Sequence, residues 1–390
     1  MVYIFFLVFF VVFSLVNYYF ISRIYYATGF LPLQVRRALV VILIIAASAY
    51  PLSKIVYHAI LPLPLYGMMV TIGAFWFAFL LYGGLYVVAV DLIRLFARKS
   101  LRQRLSEKSY SQLKLAILAG GLVFTFGVVL YGYLQARDYQ IVRQEVQIES
   151  AVQDTLRYQA VFLSDIHLST VSDVKSIRHL VTMVNQLDAD FILIGGDLVD
   201  DTQEVLETLG FQSLMQQMKA RAGKYAIMGN HEYIVGEETA IDFIKKSGFT
   251  LLRDTAILVD SAFYLIGRDD PTRMREMGVP RKDLYQITGG LDSGFARIVL
   301  DHQPSKLDSA IAHKTALQLS GHTHNGQMYP GSIVTNWIYE LSYGYGRFGD
   351  MQLYVSSGAG GWGPPVKVGS VAEIVLLDVV VVPGRDTKNK

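Results

Sequence analysis

Residues 320–327, SGHTHNGQ, decide how the second half of this 390-residue chain folds. The apolar run 316–319 leads into two histidines, His322 and His324, which are flanked by glycines. An apolar run that meets glycine predicts a buried strand ending in a tight loop, so both imidazoles are expected just past the strand's end. His-x-His alone is weak support for a ligand site, because alternate strand residues also share a face for structural reasons.

Four more polar clusters precede this stretch, and most of them follow apolar runs directly. Polar groups at the carboxyl ends of strands converge on the crevice where α/β sheets bind ligands. Carboxylates, an amide and imidazoles together suit Mn, Fe or Zn better than Mg or Ca, and about seven ligands suit two ions rather than one. We therefore predict a two-metal site. The four clusters are Asp165-Ile166-His167, Gly196-Asp197, Gly229-Asn230-His231-Glu232 and His302.

Each cluster also has a purely structural interpretation. Asp165 and His167 could cap a helix and fill a core, and Asp197 could simply form a turn. The occurrence of five clusters in one half of the chain favours metal binding. Asp200 and Glu232 are expected to orient ligands rather than to bind metal themselves.

The composition excludes several classes of site. The chain has no cysteine, which rules out disulfides, thiol catalysis and cysteine-type zinc sites. The net charge is +2 and the second half shows no interleaving of arginine with aromatic residues, so no nucleic-acid binding is expected. The mean hydropathy is +0.34, and the apolar excess lies before about residue 135. That division predicts a membrane region followed by a globular domain.

Residues 1–135 are predicted to form a four-helix transmembrane anchor. The charge-free segment 2–20 is long enough to cross a hydrocarbon core of about 30 Å, and further spans are expected at about 38–60, 66–90 and 113–134. A cleaved signal peptide explains 2–20 less well, because no basic residue precedes it and no small-residue cleavage site follows it. Glycines in the fourth span, Gly120-Gly121 and Gly127, are expected to allow close helix contact.

The orientation of the anchor follows from its loops, because basic residues cluster in the first and third connections. The positive-inside rule places those loops in the cytoplasm and both termini outside it, so the globular domain is expected to be extracytoplasmic. A miscounted span would reverse this orientation. The basic residues are Arg23, Arg36 and Arg37 in the first connection, and Arg94, Arg98, Lys99, Arg102, Arg104, Lys108 and Lys114 in the third.

Residues 136–384 are predicted to form an α/β domain, followed by a solvated tail at 385–390. Apolar runs predict strands near 139–148, 160–163, 191–194, 225–228 and 371–382, and amphipathic periodicity predicts helices near 172–187, 203–219 and 237–247. The first units alternate strand and helix, and the later part is rich in strands. Two stacked sheets flanked by helices, a β sandwich of the αββα kind, is the expected architecture.

Taken together, the clusters resemble the signature of the calcineurin-like metallophosphoesterases. Order and spacing match across residues 158–327, and the resemblance is closest to a membrane-anchored bacterial branch of that superfamily. It implies a protein of the bacterial inner membrane with an α/β metallophosphoesterase domain. The matching motifs are Asp165-x-His167, Gly196-Asp197-x-x-Asp200, Gly229-Asn230-His231-Glu232, His302 and Gly321-His322-x-His324.

The resemblance also implies a role for each residue. Asp165, His167 and His324 would hold one metal ion, Asn230, His302 and His322 the other, and Asp197 would bridge both. His231 would not be a ligand but the general acid that protonates the leaving group. The implied reaction is hydrolysis of a phosphoester or pyrophosphate bond by a metal-bridging hydroxide, with two divalent ions as cofactors, manganese first and iron or zinc as alternatives.

The expected substrate is a phosphorylated small molecule or a lipid, since a membrane tether favours a lipid or lipid-linked phosphate. A cytoplasm-facing nucleotide-lipid pyrophosphatase is one alternative and requires the opposite orientation. A non-catalytic scaffold with the same fold is the other, although such proteins are expected to have lost ligands or the catalytic histidine.

Three further features could shape the substrate site. Arg268 lies in a charged loop and could bind phosphate, although a solvated loop is the interpretation that we favour. The aromatic segment 328–350 could form a lid, a bilayer-facing rim or a satellite core. Lys367 stands where the resemblance would lead one to expect arginine, which makes the rim of the site uncertain.

Overall fold

The structure, a computed structural model, describes residues 2–55 and 61–384. The chain divides into two compact units, Met1–Tyr133 and Leu134–Lys390. The predicted tail at 385–390 and the end of the predicted second span, 56–60, lie outside the described residues.

Long apolar sequences form the four helices of the first unit. Each is long and apolar enough to cross a bilayer, judged by length and composition alone. The third helix does not stop at the charged residues that end its apolar stretch, because the residues up to Arg104 are mostly good helix formers. Much of the basic cluster predicted for a loop therefore lies on this helical extension. The helices are α1 (Val2–Ala27), α2 (Leu33–Ile55), α3 (Leu63–Arg104) and α4 (Glu107–Gln135).

Small residues bring these helices together, although not all of those predicted to do so. A Cβ on Gly73 of α3 would lie 2.3 Å from the backbone nitrogen of Tyr50 in α2, so only glycine allows this approach. A Cβ on Gly121 would lie 2.6 Å from the ring of Tyr86, as expected for close contact between α4 and α3. The same expectation for Gly127 is wrong, because no described atom comes within 4 Å of its Cβ position.

The second unit is built from two six-stranded sheets. Their strand orders are β1-β12-β2-β3-β4-β5 and β10-β11-β9-β8-β7-β6. Neighbours from β2 to β5 and from β7 to β9 run parallel, as expected for short apolar strands buried on both faces. The strands are β1 (Tyr139–Ser150), β2 (Leu156–Leu163), β3 (Phe191–Ile194), β4 (Gly223–Ala226), β5 (Thr250–Leu251), β6 (Thr255–Val259), β7 (Phe263–Gly267), β8 (Ala296–Leu300), β9 (Leu317–Ser320), β10 (Gly344–Phe348), β11 (Met351–Val355) and β12 (Ala372–Pro383).

Short helices connect the strands. The helix predicted near 172–187 buries an apolar stripe formed by Ile177, Leu180, Val181 and Val184. The helix expected at 203–219 is instead two helices, because Gly210 adopts a left-handed conformation (φ 70°) between them. The helices are α5 (Val174–Gln186), α6 (Gln203–Thr208), α7 (Phe211–Gln216), α8 (Asn230–Val235), α9 (Glu237–Lys246), α10 (Thr272–Met277), α11 (Leu284–Thr288), α12 (Leu307–Ala312) and α13 (Gly331–Ile338).

The parallel strands carry all the polar clusters to one end of the sandwich. Clusters follow β2, β3 and β4 in the first sheet, and β8 and β9 in the second. Because these strands are parallel within each sheet, their carboxyl ends share an edge. Side chains from five different loops can therefore meet there.

Candidate metal centre

Backbone hydrogen bonds join the loops that carry the predicted ligands. The amide of Asp165 donates to Gly196 O (3.1 Å), and the amide of His167 donates to Asp197 O (3.0 Å). In the second sheet, the amide of Gly321 donates to His302 O (2.9 Å). The ligand loops therefore form one framework before any ion is considered.

Three groups of three side chains converge within this framework; two consist of predicted ligands, and the third joins His167 to Asp200 and His231. Ligand atoms of Asp165, His167 and His324 all lie within 4.8 Å of one another. The imidazole Nε2 atoms of His167 and His324 are 3.2 Å apart, and His324 Nε2 is 3.4 Å from Asp165 Oδ1. Three buried donor atoms that face a common point are suited to a cation.

The second group has the same character. Ligand atoms of Asp197, His302 and His322 lie within 4.8 Å of one another. Asn230 Oδ1 joins them, 2.8 Å from His322 Nδ1 and 3.2 Å from His302 Nε2. One carboxylate oxygen, Asp197 Oδ2, is 3.1 Å from His302 Nε2 and 3.6 Å from His167 Nε2. Asp197 therefore lies between the two groups, where a bridging ligand would be required.

The protonation states of two predicted ligands, Asp197 and His324, fit a metal centre. Burial would raise the pKa of the Asp197 carboxyl, but His302 and His231 together lower it well below its usual range. Burial lowers the pKa of His324 to about 3, and its Nδ1 has no hydrogen-bond partner among the described residues. An ionised carboxylate and a neutral imidazole are the forms that bind metal. The residues present therefore fit two divalent cations.

The ligand positions have strained backbones. Left-handed conformations cost a residue with a Cβ about 1 kcal/mol or more, and they collect at functional sites. Packing between loops holds these residues in place: a Cβ on Gly229 would lie 2.2 Å from Asp197 Oδ1, and one on Gly321 would lie 1.9 Å from Ser164 Oγ. The positive-φ ligands are Asp165 (54°), His167 (49°), Asp197 (52°), His322 (70°) and His324 (50°).

Glu232 fixes the backbone between two ligand loops. Its buried carboxylate accepts from the amides of Asp197 (2.9 Å), Leu198 (2.7 Å), Val199 (3.0 Å) and Gly229 (2.7 Å). Through these four hydrogen bonds, the Glu232 carboxylate is fully engaged with backbone amides. The expected role of orienting ligands agrees with this position.

His231 lies beside both groups and is held by a carboxylate. Its Nδ1 is 2.6 Å from Asp200 Oδ1, and its amide donates to Asp197 Oδ1 at 2.8 Å. Burial would lower its pKa, but the carboxylates of Asp197 and Asp200 raise it to about 9. Asp200 therefore orients the predicted general acid, while its Oδ2 lies 3.6 Å from His167 Nδ1, beyond hydrogen-bond distance.

Arg268 lies neither in a solvated loop nor with its guanidinium free to bind phosphate. Its side chain is buried, and its guanidinium donates to Asp301 Oδ2 (2.9 Å) and to Lys282 O (3.3 Å). Arg281 donates to the other oxygen of Asp301 (2.9 Å). The solvated-loop interpretation is therefore wrong. The guanidinium that could have bound phosphate is already paired with Asp301, the residue before His302.

Sequence reasoning missed the role of Lys367 and noted only an unexpected residue type there. Lys367 is fully buried, and its Nζ donates to the carbonyls of Ser357 (2.6 Å), Gly358 (2.8 Å) and Val371 (2.8 Å). The loop it holds packs on a ligand, since a Cβ on Gly358 would lie 2.8 Å from Asp165 Cβ. The sequence feature that could have indicated this role is a single lysine within a run of glycine, proline and valine.

Part of the aromatic segment 328–350 forms the predicted satellite core, and part of it is exposed. Phe348 packs, with Leu341, against a small satellite core. Helix α13 buries none of its residues, and Trp337 on it is 89% exposed. Tyr339 lies beside the centre, with its ring 6.2 Å from that of His322.

Comparison with known proteins agrees with these motifs. A family model described as calcineurin-like phosphoesterase matches residues 158–326. An uncharacterized metallophosphoesterase of Helicobacter pylori strain J99 is 31% identical over 257 residues, covering 65% of this chain and 68% of that protein. A transmembrane protein with metallophosphoesterase domain from Danio rerio is 28% identical over 290 residues, covering 72% of this chain and 65% of that protein.

Solved structures are more distant. A 5'-nucleotidase precursor from Thermus thermophilus superimposes with a TM-score of 0.37 at 16% identity, over 58% of this chain and 55% of that protein. This chain therefore spans about half the length of that structure.

Proposed function

Because this chain belongs to the calcineurin-like phosphoesterase family, we propose that it is a membrane-bound, two-metal enzyme that hydrolyses a phosphoester or pyrophosphate bond. The observation that carries the proposal is Asp197, which stands between two groups of ligands with its Oδ2 atom near a histidine of each. A scaffold without activity would not need this arrangement together with a histidine held by Asp200.

Each cation has a set of residues to hold it. Asp165, His167 and His324 surround one position, Asn230, His302 and His322 surround the other, and Asp197 belongs to both. Cations there would supply Lewis acidity, which polarises phosphoryl oxygens and makes water more acidic. Mixed oxygen and imidazole ligands suit manganese, iron or zinc. Of these we propose manganese.

His231 is the group that can move a proton. Asp200 accepts from Nδ1, which fixes the ring and leaves Nε2 as the nitrogen available to substrate. Against the effect of burial, the carboxylates of Asp197 and Asp200 raise the pKa of the imidazole and so favour its protonated form. A positioned imidazolium donates to a departing alkoxide, which is the role of a general acid.

The substrate we propose is a lipid or lipid-linked phosphate. The support is the anchor: four helices are apolar enough to span a bilayer, and only three residues separate the end of α4 from the start of β1. A domain attached so closely to membrane helices works on a dense surface of phosphate head groups. The same tether is compatible with a soluble substrate, so the assay must include one.

The test is a parallel assay of purified full-length protein loaded with manganese. Phosphatidic acid in vesicles, a nucleoside diphosphate and an aryl phosphodiester are offered side by side. His231→Ala should lower turnover by about 100-fold or more with metal content unchanged, because only the proton donor is lost. His313→Ala is the matched control, since that histidine belongs to neither ligand group.

Two results would contradict the proposal. Full metal content without hydrolysis of any of the three substrates would indicate a scaffold. Unchanged turnover in His231→Ala would leave the metal centre but remove the assigned proton donor.

A further inference from the structure

Helix α13 carries an exposed apolar ridge beside the metal centre. We define the ridge as Tyr329, Ile333, Val334, Trp337 and Ile338, of which Trp337 is 89% exposed and Ile338 63% exposed. The helix buries none of its residues. A contiguous apolar surface of this kind on a folded domain marks a site of interaction.

The composition of the ridge indicates a bilayer rather than water or a polar partner. Residues 328–339, MYPGSIVTNWIY, contain no charged residue. Tryptophan and tyrosine beside aliphatic residues are the side chains enriched at membrane interfaces. The same chain carries four helices apolar enough to span a bilayer, and α4 ends only three residues before the domain begins. A membrane is therefore the apolar phase to which this domain is attached.

The ridge is rigidly connected to the ligand loop. Gly331, the first residue of α13, comes seven residues after His324. Two glycines bring these backbones together, since a Cβ on Gly326 would lie 2.1 Å from the amide nitrogen of Ser332. Near the other end of the helix, Ser342 Oγ donates a hydrogen bond to Asn336 Oδ1. The carbonyl of Ser342 in turn accepts from Thr323 Oγ1 at 2.5 Å. Movement of the ridge would therefore be transmitted to the metal centre.

Two aromatic residues border the centre. The Tyr339 ring is 6.2 Å from the ring of His322, and the Trp362 ring is 6.2 Å from the ring of His231. Trp362 is itself half exposed. Tyr339 directly follows Ile338, the last residue of α13, so this end of the helix lies at the edge of the centre.

We infer that the ridge on α13 inserts into the interface of the lipid bilayer and holds the metal centre at the level of the phosphate head groups. The inference rests on the proposed function for its substrate, but the docking can be tested without any turnover.

The absence of cysteine allows a direct test of docking in the full-length chain. Trp337→Cys and Ile338→Cys each give one site for a nitroxide label, and Lys245→Cys, on an exposed charged position of α9, is the matched control. Labelled protein is reconstituted in vesicles of phosphatidylethanolamine and phosphatidylglycerol. Labels at 337 and 338 should collide with oxygen and be protected from a water-soluble nickel chelate, as lipid-embedded labels are, whereas the label at 245 should be open to the chelate.

Two outcomes would overturn the inference. Equal access of the nickel chelate at 337 and 245 would mean that the ridge faces water. Protection at 337 from both oxygen and the chelate would mean that protein, either another part of this chain or a second copy, covers it.

A second measurement separates docking from catalysis. The double variant Trp337→Ser/Ile338→Ser should lower turnover of phosphatidic acid in vesicles by roughly 10-fold, because two apolar side chains no longer enter the interface. Hydrolysis of a soluble aryl phosphodiester should be unchanged. An equal fall on both substrates would contradict the inference, and a wild-type protein inactive on every substrate would refute the proposed function while the label result still decides docking.

Discussion

At the scale of single residues, the loops of the candidate site contain features that lower the stability of the fold. Five predicted ligands have left-handed backbones, and Lys367 is buried without a carboxylate within salt-bridge distance among the described residues. Its ammonium is instead satisfied by three carbonyls. Such a group is retained for what it positions, here the loop beside Asp165.

Lys367→Met should therefore destabilise the domain and change its response to pH. Three carbonyls lose their donor, which costs about 2 kcal/mol or more. Burial lowers the pKa of Lys367 to about 8, below its ordinary value of 10.5. The folded protein then binds fewer protons than the unfolded chain between those values, so the stability contributed by the lysine rises with pH through that window.

The measurement is the melting temperature of wild type and variant from pH 7.5 to 10. The difference between them should widen as the pH rises, whereas Lys245→Met, at an exposed position, should show a small and constant difference. A difference that stays flat or narrows would mean that the buried amine does not titrate in this range.

The ligands could be predicted from sequence because each follows an apolar run, and local sequence determines where a strand ends. The roles of Arg268 and Lys367 could not. Arg268 pairs with Asp301, which lies 33 positions away in another strand's loop, and no local pattern identifies such a partner. Burial of a lysine likewise depends on packing between distant segments.

At the scale of elements, α8 organises the centre. Its first residues are Asn230, His231 and Glu232, so one turn of helix supplies a predicted ligand, the predicted general acid and the carboxylate that binds the neighbouring loop. The turn is short, and its geometry depends on Glu232 more than on helix propensity.

Glu232→Gln should disturb the centre although its shape is nearly preserved. The amide cannot replace a carboxylate that accepts from four backbone amides, and loss of these charge-assisted bonds should cost about 2–4 kcal/mol. Both thermal stability and metal content after dialysis should fall. Glu238→Gln, at an exposed position in the first turn of α9, should change the melting temperature little. Equal effects of the two substitutions would argue against this role for Glu232.

Element boundaries show where sequence patterns reach their limit. The strands near 160–163 and 191–194 are confirmed within their predicted cores, because buried apolar runs are unambiguous. The helix at 203–219 is interrupted because the conformation of Gly210 overrides the periodicity on either side of it. The order of strands was beyond prediction, since it depends on pairings between the two ends of the domain.

At the scale of the whole molecule, the orientation of the anchor stays a prediction. The positive-inside rule places the carboxyl terminus outside the cytoplasm. A carboxyl-terminal alkaline phosphatase fusion should therefore be active, and a green fluorescent protein fusion should be dark. The opposite pattern would place the domain in the cytoplasm and favour a cytoplasmic substrate.

The position of β12 has a consequence for synthesis. This strand lies between β1 and β2, pairing with β1 along residues 139–150 and with β2 along 156–162. Within the first sheet it is made after the other five strands, so β1 and β2 lack the strand that joins them until residues 372–383 have been synthesised. The complete sheet, and with it the native packing around β12, can therefore form only after this late segment has been made.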